Sequence, residues 1–400
     1  MALLLTMTLS CSQPEKMKEK SKIIDVAGSV GRGRITDLSE VVSDIRYIPL
    51  ETSKKSLVGH FKKVYFENDL IYIIDLTDSI KIFDRKGRFV RNFGRQGRGP
   101  EEYLSKGQIY ILPQTGNIQV NTFDRNVYNY NASGRFINKV LSPESEKFVS
   151  QEPIYLNDTT FFASINYSGV AEFSAVVYNA QSNVKLYIPA PKTFKSEEIA
   201  PGINVITSGD IVMYKFRDNM RIMSEGYDTV ISVNSKLQID TPFIFKYGEF
   251  QKYSSDWVSH IRGGDGKHIT LLGKVMETDK WLFMLYNLRA YAHEPYNATN
   301  IIRGKPHTYT TNFAYALFNK EKEEFWFLNQ TKKGVIGFRE NLMDGPPFWP
   351  NNISSDNSLL MVHSAASLLE YAETHTLSPK LAEIVKNLSE NDNPIVVIAR

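Results

Sequence analysis

The stretch Asp69–Tyr103 recurs further along the chain, and that repeat constrains the fold more than any other feature of the sequence. Leu70–Asp75 is an apolar run of strand length, bounded by Asn68-Asp69 and by Thr77-Asp78-Ser79. Ile80, Ile82 and Phe83 make a second β-rich run, and Phe89, Val90 and Phe93 a third. Asp84-Arg85-Lys86-Gly87 separates these two, a turn with glycine where positive φ is easiest, so the pair predicts a hairpin. Gly94-Arg95-Gln96-Gly97-Arg98-Gly99-Pro100 follows, too rich in Gly and Pro for strand or helix. A shift of 47 positions puts Val64 on Ile111, Ile71 on Ile118, Ile73 on Val120 and Ile80 on Val127 without a gap. It also puts Phe83 on Tyr130, Gly87 on Gly134, Arg88 on Arg135 and Phe89 on Phe136. Four short strands at a period of roughly 40–50 residues are the signature of a propeller blade.

The rest of the chain parses as further copies. Units begin near residues 57 and 103, and a third runs through Ile154–Leu156, Thr160–Ala163 and Ala175–Tyr178. A fourth holds Ile211–Tyr214, Arg221–Met223 and Thr229–Val233; a fifth holds Ile269–Met276, Trp281–Tyr286, Phe313–Phe318 and Phe325–Leu328. The sixth and least regular has Gly334–Phe338 and Leu359–Val362. The predicted fold is all-β, a six-bladed β-propeller over residues 40–400 with a short helical insertion near the C-terminus. In that insertion Leu381, Ile384, Val385 and Leu388 share one helical face behind the cap Ser378-Pro379, and an earlier helical stretch spans about 364–375. The apolar stripe is expected to pack on the body of the domain. Ile45–Leu50 and Pro394–Ala399 are the expected pair that closes the ring.

Composition bounds the function. Net charge is +3, which gives no bulk electrostatic case for nucleic acid. Cys11 is the only cysteine, so an internal disulfide and a thiolate metal cluster are both excluded. Leu3–Ser10 is apolar, too short to span a bilayer, and fits the core of a signal peptide. Leu9-Ser10-Cys11-Ser12 resembles a bacterial lipobox, with Thr8 in place of the usual leucine and no Lys or Arg before the apolar run. Residues 1–11 are therefore read as a lipoprotein signal segment with Cys11 lipidated, and 12–39 as tether and lead-in.

The chain resembles the six-bladed β-propeller lipoproteins common in Bacteroidetes, related in architecture to NHL-repeat propellers. The match rests on Tyr47-Ile48-Pro49-Leu50-Glu51-Thr52, Ile82–Phe89, Gly94–Tyr103 and Glu390-Asn391-Asp392-Asn393-Pro394. It implies a cell-envelope address and brings no reaction. The absence of a dense acidic segment after Ser12 points to a periplasm-facing position rather than surface display.

Catalytic signatures are missing. Seven histidines are scattered without HExxH or similar spacing, and there is no GxSxG. Gly263-Gly264-Asp265-Gly266-Lys267 lacks the spacing of a phosphate loop, and Asp75-Leu76-Thr77-Asp78 lacks the glycine and terminal glutamate of a calcium loop. No metal or other cofactor is expected. Two connections carry candidate ligand-binding residues: Arg95, Arg98, Glu101 and Glu102 after the first unit, and Arg289, Tyr291, His293 and Arg303 in the long loop of the fifth. Strand order in a propeller puts both on one face, where loops are free to vary. The first connection reads first as a structural clasp of glycine turns and Arg–Glu pairs, ahead of a ligand contact. The second reads equally as a loop packed on its neighbours.

Two functions follow. The preferred one is a non-catalytic envelope propeller that binds a glycan, peptide or envelope protein and meets the membrane only through its lipid. The alternative is a polysaccharide hydrolase or lyase with carboxylates at the channel mouth. Cys11→Ala is expected to move the protein from the membrane to the soluble fraction in its native host; unchanged fractionation contradicts the lipobox.

Overall fold

The computed structural model describes residues 20–400 except 77–78, 95–96, 105–107, 114, 123–125, 146–147, 158, 166–172, 190–210, 225–227, 252–267, 274 and 303–304. Cys11, Arg95, Arg303 and the Gly263–Lys267 loop lie outside the described residues. The fold is a six-bladed β-propeller. Blade one is Phe61–Glu67, Leu70–Asp75, Ile80–Asp84 and Phe89–Phe93, antiparallel throughout and in that spatial order. Blade two is Ile109–Ile111, Ile118–Asn121, Asn126–Tyr130 and Phe136–Leu141. Blade three is built from Phe148–Asn157, Thr160–Ile165, Phe173–Asn179 and Val184–Pro189. Blade four follows with Ile211–Phe216, Asn219–Ser224, Thr229–Asn234 and Ile239–Lys246. Blade five starts with the interrupted pair Thr270–Leu271 and Met276–Glu277, then Trp281–Asn287, Phe313–Asn319 and Glu324–Leu328.

Blade six takes Asn352–Ile353, Leu359–His363 and Ile395–Ala399 from the C-terminal end and its outermost strand, Ile45–Pro49, from the N-terminal end. Ile45 pairs with Ala399, Tyr47 with Val397 and Pro49 with Ile395. The closure expected from the two terminal segments is thus the one observed. Gly334–Phe338 is not a blade strand; it forms only isolated bridges, Lys332 with Val335 and Phe338 with Phe348. Its apolar pattern serves a long connection that packs Phe338 and Phe348 into the core.

Residues 22–39, read from sequence as lead-in, lie on the blades. Lys22–Asp25 adds a parallel fifth strand to blade four, and Gly33–Arg34 does the same on blade five. Asp37 then holds Arg339 through two hydrogen bonds, Nε to Oδ1 and Nη2 to Oδ2.

The middle strands are buried on both faces, which is why Leu70–Ile74 reads as a continuous apolar run instead of an alternation. Ile71, Ile73 and Phe83 face blade six, where they meet Leu360, Val396 and Ile398. Tyr72, Ile74 and Ile82 face blade two, where they meet Ile109, Ile118 and Val120. Every adjacent pair of blades holds such an apolar layer among the described residues, including the pair that joins blade six to blade one. Burial of these layers is the main favourable contribution to the fold.

One turn device recurs between the third and fourth strands. Asp84 Oδ1 accepts the amides of Lys86 and Arg88; Asn131 Oδ1 accepts those of Ser133 and Arg135. Asn179 and Asn234 do the same in blades three and four, and Asn319 takes the amides of Glu321 and Lys322 in blade five. The left-handed position is Gly87 or Gly134 in the first two blades and Ser182 or Leu237 in the next two.

Helices α1 (Ala365–Thr374) and α2 (Pro379–Lys386) fill the connection between the second and third strands of blade six. Ser364 and Ser378 cap them through their hydroxyls. Leu381 is fully buried, and Ile384, Val385 and Leu388 pack on the same core, as the helical stripe predicted.

Candidate functional site

The first strands of the six blades surround a central cavity of about 1030 Å³. An innermost strand has no partner on its channel side, so its exposed edge must be managed by side chains. Phe61–Glu67 shows how the sequence does this. Val64 and Phe66 point into the layer with blade six, while the alternate residues Lys63, Tyr65 and Glu67 line the cavity. Tyr65 Oη donates to the carbonyl of Ile109 in blade two at 2.6 Å, and Tyr155 Oη of blade three donates to that of Ile111 at 3.0 Å. Asn352 Nδ2 of blade six donates to the carbonyl of Val64 at 2.9 Å. Side chains therefore bridge neighbouring inner strands where backbone ladders cannot.

Charged groups gather at the end of the cavity formed by the turns after the first strands. Arg221 of blade four grips Glu277 of blade five, Nε to Oε2 at 3.1 Å and Nη2 to Oε1 at 3.3 Å. Lys320 Nζ donates to the same Glu277 Oε1 at 2.9 Å and to the carbonyl of Thr278 at 2.8 Å. The Glu277 side chain is 0% exposed, so this is a desolvated triad, held together because each charge is met. Burial pulls the Lys320 ammonium pKa down while Glu277 pushes it back up. Burial drives the Tyr214 hydroxyl up, and Glu277 beside it adds to the effect.

Nearer the mouth, Arg217 of blade four donates to Asp279 of blade five, and Asn357 of blade six donates to its other oxygen at 3.1 Å. The hydrogen bond from Arg217 holds the Asp279 carboxyl below the usual range. Arg217 is 66% exposed, which marks this end as open to solvent. Across the mouth, Glu67 of blade one accepts from the backbone amide of Ser355 at 3.0 Å and from its hydroxyl at 2.5 Å. Burial is the largest influence on Glu67 and raises its pKa, against the two bonds from Ser355 and the charge of Lys215. Among the described residues no three His, Cys, Asp or Glu side chains converge as a metal-ligand set.

The described residues among those singled out from sequence, Arg98, Glu101, Glu102, Arg289, Tyr291 and His293, are not on the wall of this cavity. The connection after blade one is a clasp in its geometry. Glu102 Oε2 accepts the Gly99 amide at 2.9 Å, and Tyr130 Oη donates to the Glu101 carbonyl at 2.7 Å. Tyr103 is fully buried, edge-on to Tyr128 and Tyr130. Arg98 and Glu101 are exposed. In blade five Tyr291 packs edge-on to Phe250 at 4.7 Å, and His293 Nε2 pairs with Asn329 Oδ1 at 2.8 Å. Arg289 sits in a short 3-10 turn with φ of 49°. Strand order puts both connections at the end of the ring opposite the charged turns. Sequence reasoning missed Lys63, Tyr65, Glu67, Tyr110, Tyr155, Lys215, Arg217, Glu277 and Asp279. The one available signal was polar alternation in a first strand, as in Lys63-Val64-Tyr65-Phe66-Glu67.

Residues 21–400 match the family described as a domain of unknown function, DUF4934. A candidate exported protein of Bacteroides fragilis superposes with a TM-score of 0.64 at 18% identity, over 94% of this chain and 99% of that one. A member of the DUF4221 family from Bacteroides vulgatus does so with 0.51 at 12% identity, over 90% and 96%. At these identities the likeness is one of fold. No curated protein matches the chain.

Removing one member of the buried triad leaves an unmet charge. Glu277→Gln is expected to cost about 3–5 kcal/mol in chemical denaturation, and Arg217→Ala, at the solvated mouth, under about 1 kcal/mol. Equal losses in the two variants contradict this description of the cavity.

Proposed function

The chain belongs to the DUF4934 family, and on that premise we propose that it is an exported propeller of the cell envelope that binds a ligand in its channel without transforming it. The observation that carries this reading is the cavity itself: about 1030 Å³, reached from the mouth at Arg217 and Asp279, and walled by aromatic and polar side chains from all six blades. Concave sites with an apolar wall and a few placed polar groups are the usual form of a ligand pocket. The charged groups argue against catalysis. Glu277 is committed to Arg221 of blade four and to Lys320, Asp279 to Arg217 of blade four, and both oxygens of Glu67 accept from Ser355. A glycosidase needs one carboxylate to give a proton and another to attack or to activate water. Carboxylates that bridge blades cannot leave their partners without loosening the ring.

Export is supported by the apolar segment before Cys11 and by the fold shared with the candidate exported protein of Bacteroides fragilis. Lipid on Cys11 would then tether the propeller on its envelope face through the polar residues that follow.

The test is a panel of glycans and peptides titrated into the full chain, with melting temperature and product analysis as readouts. At least one compound is expected to raise the melting temperature and to be recovered intact. Met213→Trp, which adds bulk at the channel wall, should abolish that shift, and Arg98→Ala on the opposite face should preserve it. Turnover of the compound overturns the non-catalytic reading, and a shift that survives Met213→Trp overturns the channel as the site.

A further inference from the structure

Ile211–Phe216, the innermost strand of blade four, is the edge of its sheet, and each of its six residues is partly exposed and lines the cavity. The turn that follows fixes which way its backbone groups point. Phe216 stands opposite Asn219 across the two-residue turn Arg217-Asp218, which makes these two a hydrogen-bonded pair. Such pairs alternate along an antiparallel ladder, so Tyr214 and Val212 also bond to the second strand. The amides and carbonyls of Ile211 and Met213 therefore point away from the sheet, into the channel. The side chains run to either side: Ile211 and Met213 into the layer with blade three, Val212 and Tyr214 into the layer with blade five.

The other inner strands cover or shorten this edge. In blades one to three its carbonyls take side-chain donors: Val64 from Asn352, Ile109 from Tyr65, Ile111 from Tyr155 and Pro153 from Asn121. In blades five and six the inner strand is cut to two-residue pieces, Thr270–Leu271, Met276–Glu277 and Asn352–Ile353. Among the described residues nothing bonds to Ile211 or Met213 on the channel side. Blade four thus presents a row of backbone donors and acceptors on the cavity wall, repeating every second residue, about 6.6 Å.

We propose that this edge takes an extended peptide, which pairs with Ile211–Phe216 as an added strand inside the ring. This inference rests on the channel-binding reading above and names its ligand class. Strand addition draws affinity from main-chain hydrogen bonds and specificity from alternate side chains. An added strand lies about 4.8 Å further into the channel, with its side chains directed to either side. On one side they meet Ile154 and Tyr155 of blade three, and on the other Val275 and Met276 of blade five. Those walls favour an uncharged segment rich in apolar residues, without proline where its amides must donate. A glycan matches this edge less well, because its hydroxyls do not repeat as donor and acceptor at the spacing of a strand.

The experiment selects short random peptides on the immobilised full chain, after binders of the Met213→Trp chain have been removed. The tightest peptide is remade with blocked ends and with each amide methylated in turn, and its binding is measured by calorimetry. Methylation is expected to weaken binding about tenfold at every second residue and to leave the residues between within about twofold. Met213→Pro removes one channel-facing amide and no ladder bond, so it should cost about tenfold, while Met213→Leu stays within about twofold. The methyl scan uses the unaltered chain, so it decides the matter if Met213→Pro does not fold. Equal sensitivity at all positions, or at none, overturns the inference, as does a folded Met213→Pro chain that binds normally. If no peptide is selected while a glycan binds in the channel, this inference fails and the channel-binding reading stands. A folded chain that binds no peptide and no glycan overturns both.

Discussion

Everything in this molecule depends on one strand pairing made without a turn. Ile45–Pro49 completes blade six against Ile395–Ala399, and the break between Arg400 and Asp44 stands where the other blades have their third-to-fourth turn. The joint is sealed by backbone bonds on either side of the break. The amides of Ser43 and Asp44 donate to the Arg400 carbonyl, and the Arg400 amide donates to that of Asp44. The pairing positions Ile48 and Leu50 in the layer that blade six shares with blade one. Without it, Val396 and Ile398 would lose part of their cover and blade six would present an open edge.

Closure creates the channel, and the channel creates a problem. The innermost strand of each blade has no ladder on one side, so polar groups there are recruited as bridges: Tyr65 and Tyr155 to backbone carbonyls, Glu67 to Ser355, Arg221 and Lys320 to Glu277. The same side chains that stabilise the ring thus form the wall of the concavity at its axis. Structural duty also restricts chemistry, because a carboxylate that holds two blades together is a poor proton carrier. On the same wall Lys63 lies over Tyr110, Lys215 lies over Tyr155, and the two rings meet edge to face.

Much of the ring was legible in the sequence because its signals are local. The hairpin turn at Asp84–Gly87 and its copy at Asn131–Gly134 mark the period, and the carboxylate or amide acceptor persists at Asn179, Asn234 and Asn319 after the glycine has gone. The apolar stripe of α2 and the two terminal strands were equally readable. The parallel additions Lys22–Asp25 and Gly33–Arg34 were not, since their partners at Phe243–Lys246 and Phe327–Leu328 are distant in sequence and no hairpin announces them. Asn352–Ile353 is too short to show a period, which let Gly334–Phe338 stand in for it. The cavity was hidden for a different reason. Each blade contributes only a few alternate residues of one strand, and no window of sequence contains the assembled set.

The most direct test of this account is amide hydrogen exchange followed by mass spectrometry. If the ring is closed as described, the peptide containing Ile45–Pro49 exchanges as slowly as Ile395–Ala399, and both are released together in denaturant as one cooperative unit. Fast exchange of Ile45–Pro49 while Ile395–Ala399 stays protected would mean that the N-terminal strand is not the closing element, and the channel described here would lose its basis.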